Sequence, residues 1–249
     1  MVTAGMREIL YGRNAVLEAL RAGKPIDRIL LAKGTRAKGT LAEIIALARS
    51  RGVPIQRVER GDLDRIADRH QGVAAEAGEY EYASVEEILT AAEERGEKPF
   101  LLILDCLQDI QNFGSLLRTA EAVGVHGVII PKRRAVGVTA AVRKASAGAV
   151  EHLCIAQVAN LARTIRALKE RGLWVIGLDM AGERTYDEAD LDMPLAIVVG
   201  GEGQGISRLV RENCDFLVRL PMRGQVSSLN AAVAGSIVLY EALRRRGYK

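Results

Sequence analysis

The sequence predicts an α/β protein: a large C-terminal domain on a mostly parallel sheet, preceded by a smaller α/β unit. Three observations carry this. Strand-like apolar runs alternate with helical periodicity along most of the 249 residues. Two of those runs, "FLLILD" at 100–105 and "LAIVVG" at 195–200, are continuously apolar, as strands covered on both faces are. An acidic helical strip at 83–98 carries a net −3, between blocks of net +3 (1–82) and +4 (99–249). The domains expected are therefore 1–82, a helical linker 83–98, and 99–249.

Within 1–82, "GRNAVLEALRAG" places Val16, Leu17 and Leu20 at helical spacing and stops at Gly23. "IDRILLAK" reads as a strand, "TLAEIIALARSRG" as a helix ended by Gly52, and "VPIQRV" as a strand. A short helix near 61–67 and a strand over "GVAAEAGEY" complete the unit. Beyond the strip, the reading is strand 100–104, helix 113–123, strand "GVIIP", helix 139–146 and helix 160–171. Strands "LWVIGLD", "LAIVVG" and "FLVRLP" follow, with a helix at 206–211 between the last two and a final helix over 228–245.

The bulk composition narrows the classes. Hydrophobic content of 49% with 27% charged residues suits an ordinary globular protein. No apolar run reaches bilayer length, and the charged "MREILYGRN" start lacks a signal-peptide core, so a cytoplasmic protein without membrane association is expected. Cys106, Cys154 and Cys214 lie far apart, as do His70, His126 and His152, so neither a disulfide scaffold nor a metal site is expected.

In open parallel sheets, ligands bind beyond the carboxyl ends of the strands. Three loops there are polar beyond what turns require. The first, "LDCLQDIQNFGSLLRTAEAVG", offers Asn112 ahead of its helix and Arg118 within it. An arginine among leucines either lays its stem on the core or serves a site. The second, "AIVVGGEGQGISRLV", is a glycine-rich loop after a buried strand, where backbone N–H groups can approach a ligand. Its spacing fits neither the dinucleotide fingerprint nor a P-loop, because Ile206 or Arg208 falls where the last glycine should be and no Gly-Lys-Ser/Thr follows. Glu202 among its glycines is either an exposed turn residue or a placed acceptor. The third, "RLPMRGQVSSLNAAVAG", opens the last helix. One serine suffices to cap that helix, and no capping box is present, which leaves Asn230 without a structural role.

These clusters, in this order, resemble the three motifs of the SpoU/TrmH family of SPOUT-class RNA 2′-O-ribose methyltransferases: "QNFGSLLRTAEAVG", "VVGGEGQGISRLV" and "LPMRGQVSSLNAAVAGSIVLYEALRRR". Residues 7–82, with "YGRNAVLEAL" and "HQGV", are similar to the family's N-terminal substrate-binding domain. The full arrangement most resembles the bacterial enzymes that methylate a guanosine of large-subunit (23S) rRNA. The resemblance implies a deep trefoil knot, S-adenosylmethionine as methyl donor, a homodimer formed through the C-terminal domain, and RNA rather than DNA as partner. It implies Gly200, Gly201, Gly205, Leu220 and Leu229 as cofactor contacts, and Asn112, Arg118, Glu202, Ser228 and Asn230 as the catalytic and substrate set. The family's first motif reads Asp-Gly-x-x-Asp-Pro; here it is Asp105-Cys106 and Asp109-Ile110, a change in loop stiffness that removes no reactive group.

The resemblance casts Arg118 as the group that engages the 2′-hydroxyl; because a guanidinium stays protonated and is a poor base, the work expected of it is that of an electrostatic clamp on phosphate and developing alkoxide. Basic residues expected near the RNA are Arg133, Arg134, Arg143, Lys144 and Arg223. The alternatives are the same chemistry on tRNA or another rRNA site, and an RNA-binding protein without activity. A small-molecule hydrolase lacks any Ser–His–Asp or metal cluster in this sequence.

Overall fold

The computed structural model describes residues 8–247. The outermost parts of the two expected domains, 1–7 and 248–249, lie outside the described residues, as does the Met6–Arg7 part of the charged start. In chain order the elements begin β1 (Glu8–Tyr11), α1 (Arg13–Arg21), β2 (Ile26–Ala32), α2 (Thr40–Ser50), β3 (Ile55–Val58), α3 (Arg60–Asp64), β4 (Val73–Ala77) and α4 (Val85–Glu94). They continue β5 (Phe100–Asp105), α5 (Ile110–Ala122), β6 (Gly127–Pro131), α6 (Ala140–Ala145) and β7 (Ile155–Val158). Then come α7 (Leu161–Glu170), β8 (Trp174–Leu178), β9 (Arg184–Thr185), β10 (Leu195–Gly200), α8 (Arg208–Asn213), β11 (Phe216–Arg219) and α9 (Ala231–Arg246).

The chain forms two compact units. One holds the described part of Met1–Glu81 together with Val138–His152; the other holds Tyr82–Gly137 and Leu153–Lys249 as far as they are described. The stretch Val138–His152, with α6 and a 3-10 turn at Ala149–His152, thus packs with the first unit, although the sequence reading places it inside 99–249.

The first unit is a four-stranded mixed sheet in the order β1-β4-β2-β3. The helices α1 and α2 cover one face, packing Val16, Leu20, Leu41 and Ile44 on Ile29, Leu31, Val73 and Ala75. Leu63 of α3 closes the other face against Leu30 and Ala74. Charge is also buried here. Arg143 of α6 lies 3.3 Å from the Glu8 carboxylate and 3.2 Å from that of Glu151. Burial pushes the pKa of both carboxyls up, against the pull of the guanidinium. Arg143, expected near RNA, is therefore spent inside this unit, where a free basic head cannot reach solvent.

The second unit is a seven-stranded sheet in the order β7-β6-β5-β10-β8-β11-β9, and every pairing in it is parallel. Alternation along each strand splits its apolar residues between two layers. Leu101, Ile103, Ala196 and Val198 face α4, α7 and α8 through Ile88, Ile165, Leu168 and Val210. On α9, Gly235 lets the helix close on Val199 and on Leu116 of α5, where an added Cβ would come within 3.1 Å and 2.7 Å of them. The acidic strip is no free linker. Its helix, α4, starts with a complete capping box between Ser84 and Glu87, and Ile88 sits so close to β6 that a Cβ on Gly127 would meet it at 2.5 Å.

Three strands escape the sequence reading: β1, β7 and the two-residue β9. Each is an edge strand, with few residues to set a period.

Candidate active site

The order of the large sheet reverses between β5 and β10: β6 and β7 lie beyond β5, while β8 and β11 lie beyond β10. Loops leaving the carboxyl ends there must diverge, and a crevice opens. A cavity of about 550 Å³ lies on one side of this point, at the carboxyl ends of β8, β10 and β11, walled by Leu178, Val199, Leu220, Met222 and Leu229 and floored by the glycine-rich loop 200–205. Ser228, Asn230, Asp179 and Arg211 supply its polar groups. A second cavity of about 500 Å³ is lined by Cys106, Gln108, Arg134, Glu202 and Gln204. Glu202 and Gln204 line both.

The glycines carry the floor. A Cβ on Gly200 would stand 2.1 Å from the Gly205 carbonyl carbon, and one on Gly201 would stand 2.2 Å from the Cys106 carbonyl oxygen. Their first task is to let one backbone pass over another beneath the cavity. Gly201 N–H donates to Asp105 O, Gly205 N–H donates to Gly201 O, and the buried Asp105 carboxylate accepts from Ser207 N–H at 2.7 Å. The loop is thus tied to β5 at both ends of its turn.

Asn230 has a structural role after all. It caps α9 itself, its Oδ1 accepting from Ala232 N–H at 3.0 Å and Val233 N–H at 3.2 Å. That helix therefore starts at Ala231 rather than 228, and Ser227 and Ser228 stay in the preceding loop. The expectation of a serine cap is corrected: asparagine is as good a cap, and its second amide group remains available. Asn230 Nδ2 donates to Asn112 Oδ1 at 2.9 Å. Because Oδ1 of Asn230 is committed to the helix, this bond has one sense, and it leaves the Asn112 amino group with no acceptor among the described residues.

Asn112 likewise lies inside its helix rather than ahead of it. Asp109 caps α5 by accepting from Asn112 N–H at 2.7 Å, which starts the helix at Ile110. The family's proline would occupy that first helical position, where its fixed φ is favoured. Cys106 takes φ 56°, the left-handed region that glycine enters freely, so the other departure from the motif is held at a cost.

Of the residues read as a site, Gly200, Gly201, Gly205, Glu202, Leu220, Ser228, Leu229 and Asn230 share the larger cavity, and Asn112 joins through Asn230. Arg118 does not. It is exposed on α5, lines neither cavity and makes no hydrogen bond or ion pair with a described residue. Sequence reasoning missed Asp179, Arg211, Gln108 and Gln204. For Asp179 the signal was present: it directly follows the apolar run of β8, at a strand's carboxyl end.

The family profile described as the SpoU rRNA methylase family matches residues 99–240, and that for RNA 2′-O ribose methyltransferase substrate binding matches residues 9–83. The chain belongs to the SpoU rRNA methylase family. It is an RNA methyltransferase, 49% identical over 240 residues to a Bacillus subtilis protein that carries the name TrmH family tRNA/rRNA methyltransferase YacO, with 96% of each chain covered. The crystal structure of the SpoU methyltransferase AviRb from Streptomyces viridochromogenes, in complex with AdoMet, shares the fold at TM-score 0.81 and 24% identity over 96% of this chain and 90% of that one. The AdoMet-bound rRNA methyltransferase from Sinorhizobium meliloti aligns at TM-score 0.77 and 25% identity, covering 96% and 87%. Both of the sequence's larger expectations, the family and the mostly parallel α/β fold, hold.

Proposed function

We propose that this chain methylates the ribose 2′-hydroxyl of a guanosine in large-subunit (23S) rRNA, with S-adenosylmethionine as methyl donor. The observation that carries the reading is the pair of cavities sharing Glu202 and Gln204, one apolar-walled and one lined by polar groups and Cys106. A donor and an acceptor nucleotide must meet at their reactive atoms, and two adjoining cavities on one loop provide for that.

The larger cavity fits S-adenosylmethionine in the chemistry of its lining. Leu178, Leu220 and Leu229 offer apolar walls for a purine, and the loop over Gly201–Gly205 offers backbone polar groups. When bound, the donor supplies a methyl group on a sulfonium, already a strong electrophile. What remains for the chain is alignment and charge. The Asn112 amino group, turned outward by Asn230, can hold the ribose or its phosphate. Arg118, always protonated, steadies phosphate and the alkoxide that forms as the hydroxyl proton leaves. In the smaller cavity Glu202 can accept from the N1 and N2 hydrogens of guanine while Arg134 donates to O6 and N7; adenine would leave the carboxylate unmatched. The substrate-binding profile over 9–83 supports an RNA substrate.

Arg118 completes this site in a homodimer. Leu229, Val233, Ile237 and Tyr240 form one apolar stripe along α9 and its approach, between 36% and 51% exposed. The helix bearing Arg118 is tied to α9 by a 2.8 Å hydrogen bond between Thr119 and Ser236, beside that stripe. A second copy covering the stripe would bring its own Arg118 to the neighbouring cavity. The knot that the resemblance implies belongs to the same proposal. Among the described residues no helix is long and apolar enough to cross a membrane, which agrees with a cytoplasmic enzyme.

The test is incubation with labelled S-adenosylmethionine and unmethylated 23S rRNA or tRNA, followed by mapping of the product by mass spectrometry. Label on a guanosine 2′-O of 23S rRNA is expected; label confined to tRNA moves the substrate, and no label in either RNA overturns the reading. Arg118→Lys keeps charge but loses the bidentate fork, and a turnover reduced at least tenfold is expected.

A further inference from the structure

The larger cavity holds a charged pair that the motif resemblance does not account for. Asp179 follows β8, its backbone N–H donating to Val218 O at 2.9 Å. Its Oδ1 accepts from Ala181 N–H at 2.9 Å, and its Oδ2 accepts from Arg211 Nη2 at 2.5 Å. The side chain is 11% exposed, and that exposure opens on the cavity, which both residues line. On the loop side, a Cβ built on Gly205 would lie 3.9 Å from Oδ2, in ordinary contact.

A carboxylate has about four acceptor positions, two on each oxygen. One position on each oxygen is used here, so one remains on each, in a group that cannot rotate. Arg211 also offsets the charge, which leaves a directed acceptor rather than a centre for attracting cations. A rigid carboxylate with one free position per oxygen matches a vicinal diol, as acidic residues after strands match nucleotide riboses in other parallel-sheet sites.

We infer that Asp179 accepts hydrogen bonds from the ribose diol of the methyl donor, and that Arg211 is the positioning residue that fixes its carboxylate. The inference rests on the reading of this cavity as the donor site. Isothermal titration of the full chain with S-adenosylhomocysteine tests it, since binding is read without catalysis. Asp179→Ala is expected to weaken binding roughly ten- to hundredfold, the worth of a charge-assisted hydrogen bond. The 2′-deoxy analogue should bind wild type more weakly than the parent, and Asp179→Ala should then cost it less than it costs the parent, because the bond to the 2′-hydroxyl is already gone and only that to the 3′-hydroxyl remains to lose. Arg211→Met should shrink that coupling while keeping some of it, and Arg211→Lys should restore part.

Additive losses, or an Asp179→Ala affinity equal to wild type, would overturn the inference. So would a loss that disappears with 5′-methylthioadenosine, which keeps the diol and lacks the ammonium group. Asp179→Asn, of equal shape, repeats the measurement should the alanine variant unfold. Failure of wild type to bind S-adenosylhomocysteine would instead remove the donor site itself.

Discussion

The two units solve opposite problems with burial. The smaller one closes itself by pairing charges inside: Arg143 is buried between Glu8 and Glu151, and only a crevice of about 20 Å³ remains beside it. The larger one ties its buried Asp105 to backbone and places glycines where chain crosses chain, beside two cavities of about 500 Å³. Paired charge closes a fold because the partners must stay dry and in register. Glycine crossings open one because nothing projects from the backbone into the space above.

The contrast can be broken in the smaller unit first. Arg143→Met strands the buried Glu151 carboxylate and the partly buried Glu8 carboxylate, and should lower unfolding free energy by about 3–5 kcal/mol at neutral pH, read by urea titration. Both carboxyls already titrate above their ordinary value of 4.5. A raised carboxyl favours the fold below its unfolded pKa and loses that contribution as pH rises through the folded one. Without Arg143 the shift grows, so the defect should be smaller at pH 4 than at pH 7, and Glu151→Gln should relieve part of it.

Closing the larger unit is the next effect in size. Gly201→Ala sets a methyl group against the Cys106 carbonyl and should cost about 1–3 kcal/mol as the loop lifts. Binding of S-adenosylhomocysteine should fall with it, while the Arg143 cluster, on the other unit, is untouched. The smallest change sharpens the comparison without disturbing either end. Cys106→Gly relieves a left-handed residue and should add about 1–2 kcal/mol of stability with the cavity intact. No gain in the unfolding midpoint would show that the loop holds φ 56° without strain.

Much of this was legible in the sequence. Long runs such as "FLLILD" and "LAIVVG" announce buried parallel strands because both faces are covered, so every residue ahead of the closing Asp105 and Gly200 is apolar. "EILY" and "IAQV" do not, being four residues each at sheet edges. The site divided in the same way. Residues of the second and third motifs met at one cavity because the loops that carry them leave neighbouring strand ends, while Asn112 of the first joined only through Asn230 and Arg118 stayed apart. The cap on α9 was misread because serine and asparagine both cap well, and only the bonds that Asn230 Oδ1 accepts from Ala232 and Val233 N–H decide between them. Asp179 and Arg211 stood outside any motif, and their meeting depends on a strand end and a helix brought together by the fold.

The excursion of Val138–His152 makes the smaller unit discontinuous in sequence. The chain passes from one unit to the other three times, near residues 81, 137 and 152. A protease cut in the acidic strip would therefore leave the units tethered through the other two passages. A gene fragment ending at residue 82 would encode the small unit without the arginine that neutralises Glu8. Separating the two units therefore takes more than one cut in the chain, because the smaller one is built from two stretches of it.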